Sequence, residues 1–290
     1  MGTKILRSIA LTVAGMLFFA IQGTAQELNV FVSIAPQKYF VEKIGGERVN
    51  VHIMVPSGAS PHTYEPLPGQ MKALSDAKAY FTVGVTFEKA WLGKIRAANP
   101  GVMFVETARH IEKRPSPEEH HHHDPEGHGH GDADPHIWLS PPLVMLQARS
   151  ILDGLASIDP DNQGFYESRY AAFIAEIVDL DIELRNLLTP GTEFMVYHPS
   201  WGYFADAYGL RQIPVEVDGK APKARQMRKV IEAAREKEIR FVMVQPQIST
   251  RDAEMIAREI GGRTVMADPL AEDWAQNLRG IARLIGGRQD

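Results

Sequence analysis

From Phe165 to Leu188 the chain runs without a Gly or a Pro, and it stops at Thr189-Pro190-Gly191. A stretch of that length, ended by helix breakers, predicts one long helix, a rod of roughly 35 Å at 1.5 Å rise per residue. An ordinary packed helix would give the same pattern. Its position is what makes it organising, because both flanks alternate short apolar runs with helical spacing. Ahead of it, strands are expected at Leu28–Ile34, Val49–Val55, Ala79–Gly84 and Gly101–Val105, with helices between, the first stopping at Gly45-Gly46. Behind it, strands are expected at Glu193–Tyr197, Ile213–Val217, Ile239–Val244 and Arg263–Met266. Helices are expected there at Trp201–Leu210, Pro222–Glu238, Ser249–Ile260, with Ser249 or Thr250 as its cap, and Trp274–Ile285. Strand–helix alternation predicts α/β architecture with mostly parallel sheets. Two such lobes joined by one helix follow: 26–160, a connecting helix over 161–189, and 190–290.

Composition narrows the chemistry. There is no cysteine among 290 residues, so disulfides, thiolate zinc sites and iron–sulfur clusters are excluded. A metal site here must use His, Asp or Glu. The formal net charge of −5 lacks the basic excess of a nucleic-acid protein.

The N-terminus reads as an export signal over residues 1–25. Lys4 and Arg7 precede an apolar run, Ile9–Ile21, too short to span a bilayer comfortably. Gly23-Thr24-Ala25 then offers a cleavage site, so the exported chain is expected to begin at Gln26 and to be soluble in a bacterial periplasm. A membrane anchor is the other reading of such a run. Without cysteine there is no lipoprotein start.

The strand–helix alternation breaks between Glu106 and Asp134. Residues 112–133 are charged and proline-bearing, and six of the eleven histidines lie there: His120, His121, His122, His123, His128 and His130. No periodic apolar face exists, so the tract is expected to be mobile. A purification tag would sit at a terminus, whereas this run is internal, irregular and mixed with Asp and Glu. It reads as a weak, multi-site metal collector, since a mobile loop loses ordering entropy at each binding event.

Three other histidines sit at proline-marked corners or just past strands. They are His62 in Ser60-Pro-His-Thr-Tyr-Glu-Pro66, His136 in Asp134-Pro-His-Ile-Trp138, and His198 in Tyr197-His-Pro-Ser-Trp201. Asp268 in Ala267-Asp-Pro-Leu270 is a matching carboxylate. Loops beyond strand ends are where α/β sheets place ligand-binding groups. Three imidazoles and one carboxylate suit a borderline divalent ion such as Zn2+. Each residue alone also fits an ordinary polar loop, and no HxH or HxxxH spacing links them. Glu65 and Asp134 are close enough in sequence to orient His62 or His136. Tyr64, Trp138 and Trp201 could shield the site or simply belong to the core.

These four stretches, in this order, resemble the signature segments of the zinc- and manganese-binding solute-binding proteins of ABC transporters. The similarity covers essentially the whole chain after the signal, and its Asp-Pro-His-x-Trp element is the most specific part. It implies two α/β lobes joined by a long helix, a metal between them, and delivery to an integral-membrane permease. It also implies His62, His136, His198 and Asp268 as ligands. Some zinc members carry a glutamate immediately before the first histidine; here that position is Pro61, which favours Asp268 as the fourth ligand. The histidine-rich loop is typical of zinc members rather than manganese members.

The expected function is therefore capture of Zn2+ by a monomeric periplasmic binding protein, with Mn2+ as the rival cargo. A zinc hydrolase is the reading from another class, with three histidines, an open fourth position and Glu65 as general base. It lacks short-spaced ligand pairs and a supporting catalytic motif. A metal-dependent surface adhesin is a third reading, which export without lipidation does not support.

Overall fold

The computed structural model describes residues 27–116, 133–217 and 219–287. The expected signal segment and the histidines from His120 to His130 lie outside them. The first half opens with β1 (Leu28–Val32), α1 (Ala35–Gly45) and β2 (Val49–Ile53). It continues with α2 (Pro68–Ser75), β3 (Ala79–Thr82), α3 (Thr86–Ala98) and β4 (Met103–Glu106). All neighbours are parallel in the order β2-β1-β3-β4, with Val30 opposite Val51 on one side and Ala79 on the other. Burial on both faces explains the apolar runs: every residue of β3 is buried.

Helix α1 ends where the paired glycines are. Gly46 has φ 55 and ψ −140, a region open essentially to glycine, and a Cβ there would come within 2.8 Å of Arg169 Nε. That guanidinium donates to the Lys43 carbonyl at 3.0 Å, so it is not readily displaced. Gly46→Ala should cost about 1–3 kcal/mol, read as a lowered urea midpoint.

Two long helices follow: α4 (Pro141–Ile158) and α5 (Gln163–Leu187), the connecting helix. Tyr166, Phe173, Ile177, Leu180 and Leu184 form one buried stripe on α5 at helical spacing. Its opposite face leaves Val178 and Ile182 exposed. The second half adds β5 (Glu193–Val196), α6 (Gly202–Tyr208), β6 (Arg211–Pro214) and α7 (Ala224–Glu236). It ends with β7 (Phe241–Val244), α8 (Arg251–Glu259), β8 (Arg263–Met266) and α9 (Trp274–Ile285). Its sheet repeats the first, parallel in the order β6-β5-β7-β8. Strand β6 begins two residues earlier and ends three earlier than its apolar run predicts: its ladder with β5 runs from Arg211 to Pro214, and Val217 pairs instead with Lys220.

The larger core runs from the first sheet through α4 and α5 to α6 and α9. A smaller one, around Met195, Val215, Val242 and Ile256, fills the second sheet. The last helix does more than close the chain. Trp274 packs edge-on against Phe40 of α1, with ring centroids 5.1 Å apart, and donates its indole N–H to the Trp138 carbonyl at 2.6 Å. Trp138 in turn donates to the Pro269 carbonyl at 2.7 Å. Both bonds are buried, and they tie the loop after β8 to the segment that carries His136.

Candidate metal centre

The two sheets point their strand ends at one place. His62 lies in the loop after β2, His198 two residues past β5, and His136 caps a short 3-10 turn, Ile137–Leu139, after the tract. Their ring centroids are 5.9 Å (His62–His136), 5.1 Å (His62–His198) and 5.6 Å (His136–His198) apart. One ring nitrogen from each falls within 4.8 Å of the others. His136 and His198 are buried and His62 is half-buried.

Each ring is oriented through Nδ1. His136 Nδ1 donates to Asp134 Oδ1 at 2.8 Å, and the same oxygen accepts the His136 backbone N–H at 3.0 Å. One carboxylate oxygen thus fixes both the turn and the ring. His198 Nδ1 donates to Glu216 Oε2 at 2.7 Å, from just beyond β6. His62 Nδ1 meets Thr86 Oγ1 at 3.1 Å, from the start of α3. A carboxylate accepts only, so it selects the tautomer with Nδ1 protonated and the lone pair on Nε2, the form that binds a metal. Burial, followed by the neighbouring His136 and His198, lowers the His62 pKa to about 4, so its ring is neutral at pH 7.

The turn carrying Thr86 is itself braced. Glu88, buried with its pKa raised by desolvation, accepts the backbone N–H groups of Val83 and Gly84 at 3.0 and 2.8 Å. Lys113 donates to the Val83 carbonyl at 2.9 Å. The tract's two ends are also joined, by a bridge between Pro115 and Ala133. Tyr203 OH accepts from Arg114 N and donates to the Asp134 carbonyl.

The remaining sequence candidates fall around this cluster. Asp268 is half-buried and outside the histidine group among the described residues; its Oδ1 accepts from Gln247 Nε2 and Leu270 N, both at 2.9 Å. Glu65 is exposed, and it is Thr86 that meets the His62 ring. Trp138 is buried, 5.2 Å from the His136 ring. Trp201 is a core residue against Phe204, and Tyr64 bonds Gln70. Sequence reasoning missed Thr86 and Glu216. Both follow strand ends, as His62 and His198 do, but nothing in their local sequence marks them.

The cavity among the rings holds about 40 Å³, far below the roughly 300–1,000 Å³ of sites for organic ligands. Three converging imidazoles around so small a space suit a bare ion.

The model of the family described as zinc-uptake complex component A, periplasmic, matches residues 30–285. The chain belongs to that family. Similar proteins include the high-affinity zinc uptake system protein ZnuA of Bacillus subtilis (strain 168), 32% identical over 252 residues, which are 84% of this chain and 79% of that protein. The manganese ABC transporter substrate-binding lipoprotein PsaA of Streptococcus pneumoniae is 27% identical, over 82% of this chain and 78% of that one. A crystal structure of ZnuA superposes with a TM-score of 0.84 at 44% identity, covering 90% of this chain and 99% of that one. A zinc-bound deletion mutant of ZnuA gives a TM-score of 0.82, also at 44% identity, covering 90% of this chain and 97% of that one. Family membership makes the chain a zinc-binding solute-binding protein of the ABC-transporter type and not an enzyme, which removes the hydrolase reading.

Proposed function

We propose that His62, His136 and His198 hold Zn2+ through Nε2, with Asp268 as the fourth ligand, and that the chain carries the ion as a monomer to a membrane permease. The observation that carries this is the cluster itself: three ligand nitrogens within 4.8 Å of one another, each ring bonded through Nδ1. Four protein ligands close a tetrahedral site and leave no position for a substrate water, which suits carriage. Asp268 joins the set by exchanging its bonds to Gln247 and Leu270, a movement of one loop. The exported chain begins at Gln26 in this reading and works in the periplasm, in keeping with the family's description. No helix of the described residues is long and apolar enough to cross a membrane.

Manganese is the competing cargo, since relatives named for it share the family. Three nitrogen ligands and the Irving–Williams order favour zinc when both ions compete. The histidine-rich tract acts as a separate, weaker collector. Deleting His120 to His130 should leave one tight zinc per chain and remove only the weaker ions, because Pro115 and Ala133 already close the base of the tract. Mass spectrometry after dialysis of that variant against equal Zn2+ and Mn2+ measures both points. One bound manganese would overturn the selectivity, and no bound metal would overturn the site.

Helix α5 packs against α1 and α4 from the first half and α9 from the second, so it resists bending between the sheets. Uptake and release then proceed by local loop movement. Solution scattering should give the same radius of gyration with and without zinc, and a clear compaction would contradict this.

A further inference from the structure

Lys220, Lys223, Arg225, Arg228 and Lys229 fall within ten residues that contain no Asp or Glu, in a chain whose overall charge is −5. All five are exposed. Among the described residues, the first ion pairs after this segment are those of Arg235 with Glu259 and Lys237 with Glu193. Helix α7 turns Met227, Val230, Ile231 and Ala234 toward the smaller core. Its exposed face therefore carries Arg225, Arg228 and Lys229 at i, i+3 and i+4, a spacing at which like charges repel. Lys223 at the N-cap and Arg225 in the first turn also stand where the helix dipole disfavours cations, and no acidic residue lies in that turn. The first acidic residue of the helix, the exposed Glu232, stands a turn beyond Arg228, so the opening turns of α7 present only positive charge, which points to a polyanionic surface outside the chain.

We propose that the segment Lys220 to Lys229 adsorbs on a bilayer surface of anionic phospholipid headgroups. Clusters of four to eight Lys and Arg on an amphipathic helix have this affinity, worth about fivefold per charge at low salt. A protein partner would be expected to find an apolar or aromatic anchor at the centre of its footprint. Among the described residues, the large exposed apolar ones are Leu67, Met103, Leu146, Val178, Ile182, Met255 and Met266, none of them in this segment. Headgroups need no such anchor.

The location gives adsorption a consequence. Lys220 pairs through its backbone with Val217, the residue after Glu216, which holds the His198 ring. A chain lying on its basic segment brings the strand ends that bear the histidines to the membrane side. That orientation rests on the metal-site reading; the adsorption itself does not.

The test uses the chain from Gln26 onward, stripped of metal with a chelator so that the histidine tract cannot bridge to lipid through an ion. Co-sedimentation is measured with vesicles of equimolar phosphatidylglycerol and phosphatidylcholine, and with phosphatidylcholine alone. Binding is expected only to the anionic vesicles, and lost above about 0.5 M salt as screening shortens the field. The R225Q/R228Q/K229Q variant, which keeps good helix formers, should bind on the order of a hundredfold more weakly. Removing three cations elsewhere, as K94Q/R149Q/R185Q, should leave binding close to that of the parent. Absence of binding to anionic vesicles at low salt overturns the proposal, as would equal loss from the two triple variants. Circular dichroism confirms that each variant is folded. Zinc binding measured in parallel separates failure of this proposal from failure of the metal site.

Discussion

His136→Ala should leave a folded protein that no longer holds zinc tightly. A zinc site with four protein ligands is worth about 10–16 kcal/mol, or roughly 3 kcal/mol per ligand, so one imidazole lost costs on the order of a hundredfold in affinity. The fold should survive, because Asp134 Oδ1 also accepts the backbone N–H of residue 136, a bond that alanine keeps. Trp138 likewise remains tied to Pro269. Competition against a zinc indicator measures the affinity, and thermal unfolding without metal checks the fold. Tight binding within about threefold of the parent would place the zinc site elsewhere, with the histidine-rich tract as the first suspect. Equal loss from His136→Ala and from deletion of His120 to His130 would contradict the separation of a tight site from a collector.

Much of the architecture is readable from spacing because parallel strands buried on both faces appear as short apolar runs, and helices between them end at glycine or proline. The long Gly- and Pro-free stretch is one helix, Gln163–Leu187, within two residues of its expected limits. The three histidines were visible for a related reason: a proline beside each marks the corner at which a strand or turn ends. What stayed hidden depends on contacts between segments remote in sequence. Glu216 is one of 36 acidic residues, and only the pairing of β5 with β6 brings it beside His198. Thr86 reaches His62 because β3 delivers the start of α3 to the loop after β2. Trp274 looks like the opening of a closing helix, and nothing local says that it packs on Phe40 and bonds Trp138. Thr250 stands at the expected start of α8, yet its hydroxyl bonds the Glu254 side chain instead of capping the backbone.

The orienting partners should rank in their effect on zinc, and the ranking tests how the rings are held. Removing a carboxylate that fixes a metal-bound imidazole typically costs 10–100-fold in affinity. Asp134→Ala should lie at the upper end, about a hundredfold. It removes the acceptor for the His136 ring and the acceptor that shapes the turn behind it, at a buried position with an exposure of 2%. Asp134→Asn keeps an oxygen in place for both donors and loses only the charge, so about tenfold is expected. Glu216→Gln should resemble Asp134→Asn, since Glu216 holds the His198 ring by one bond and no turn depends on its side chain. Thr86→Ala should cost least, because a neutral hydroxyl at 3.1 Å adds orientation without charge. Zinc titrations of the four variants give the order directly. If Asp134→Asn were as damaging as Asp134→Ala, charge alone would set the basicity of the ligand. If both were harmless, packing around Trp138 would suffice to hold His136, and the carboxylate would have to be serving the fold.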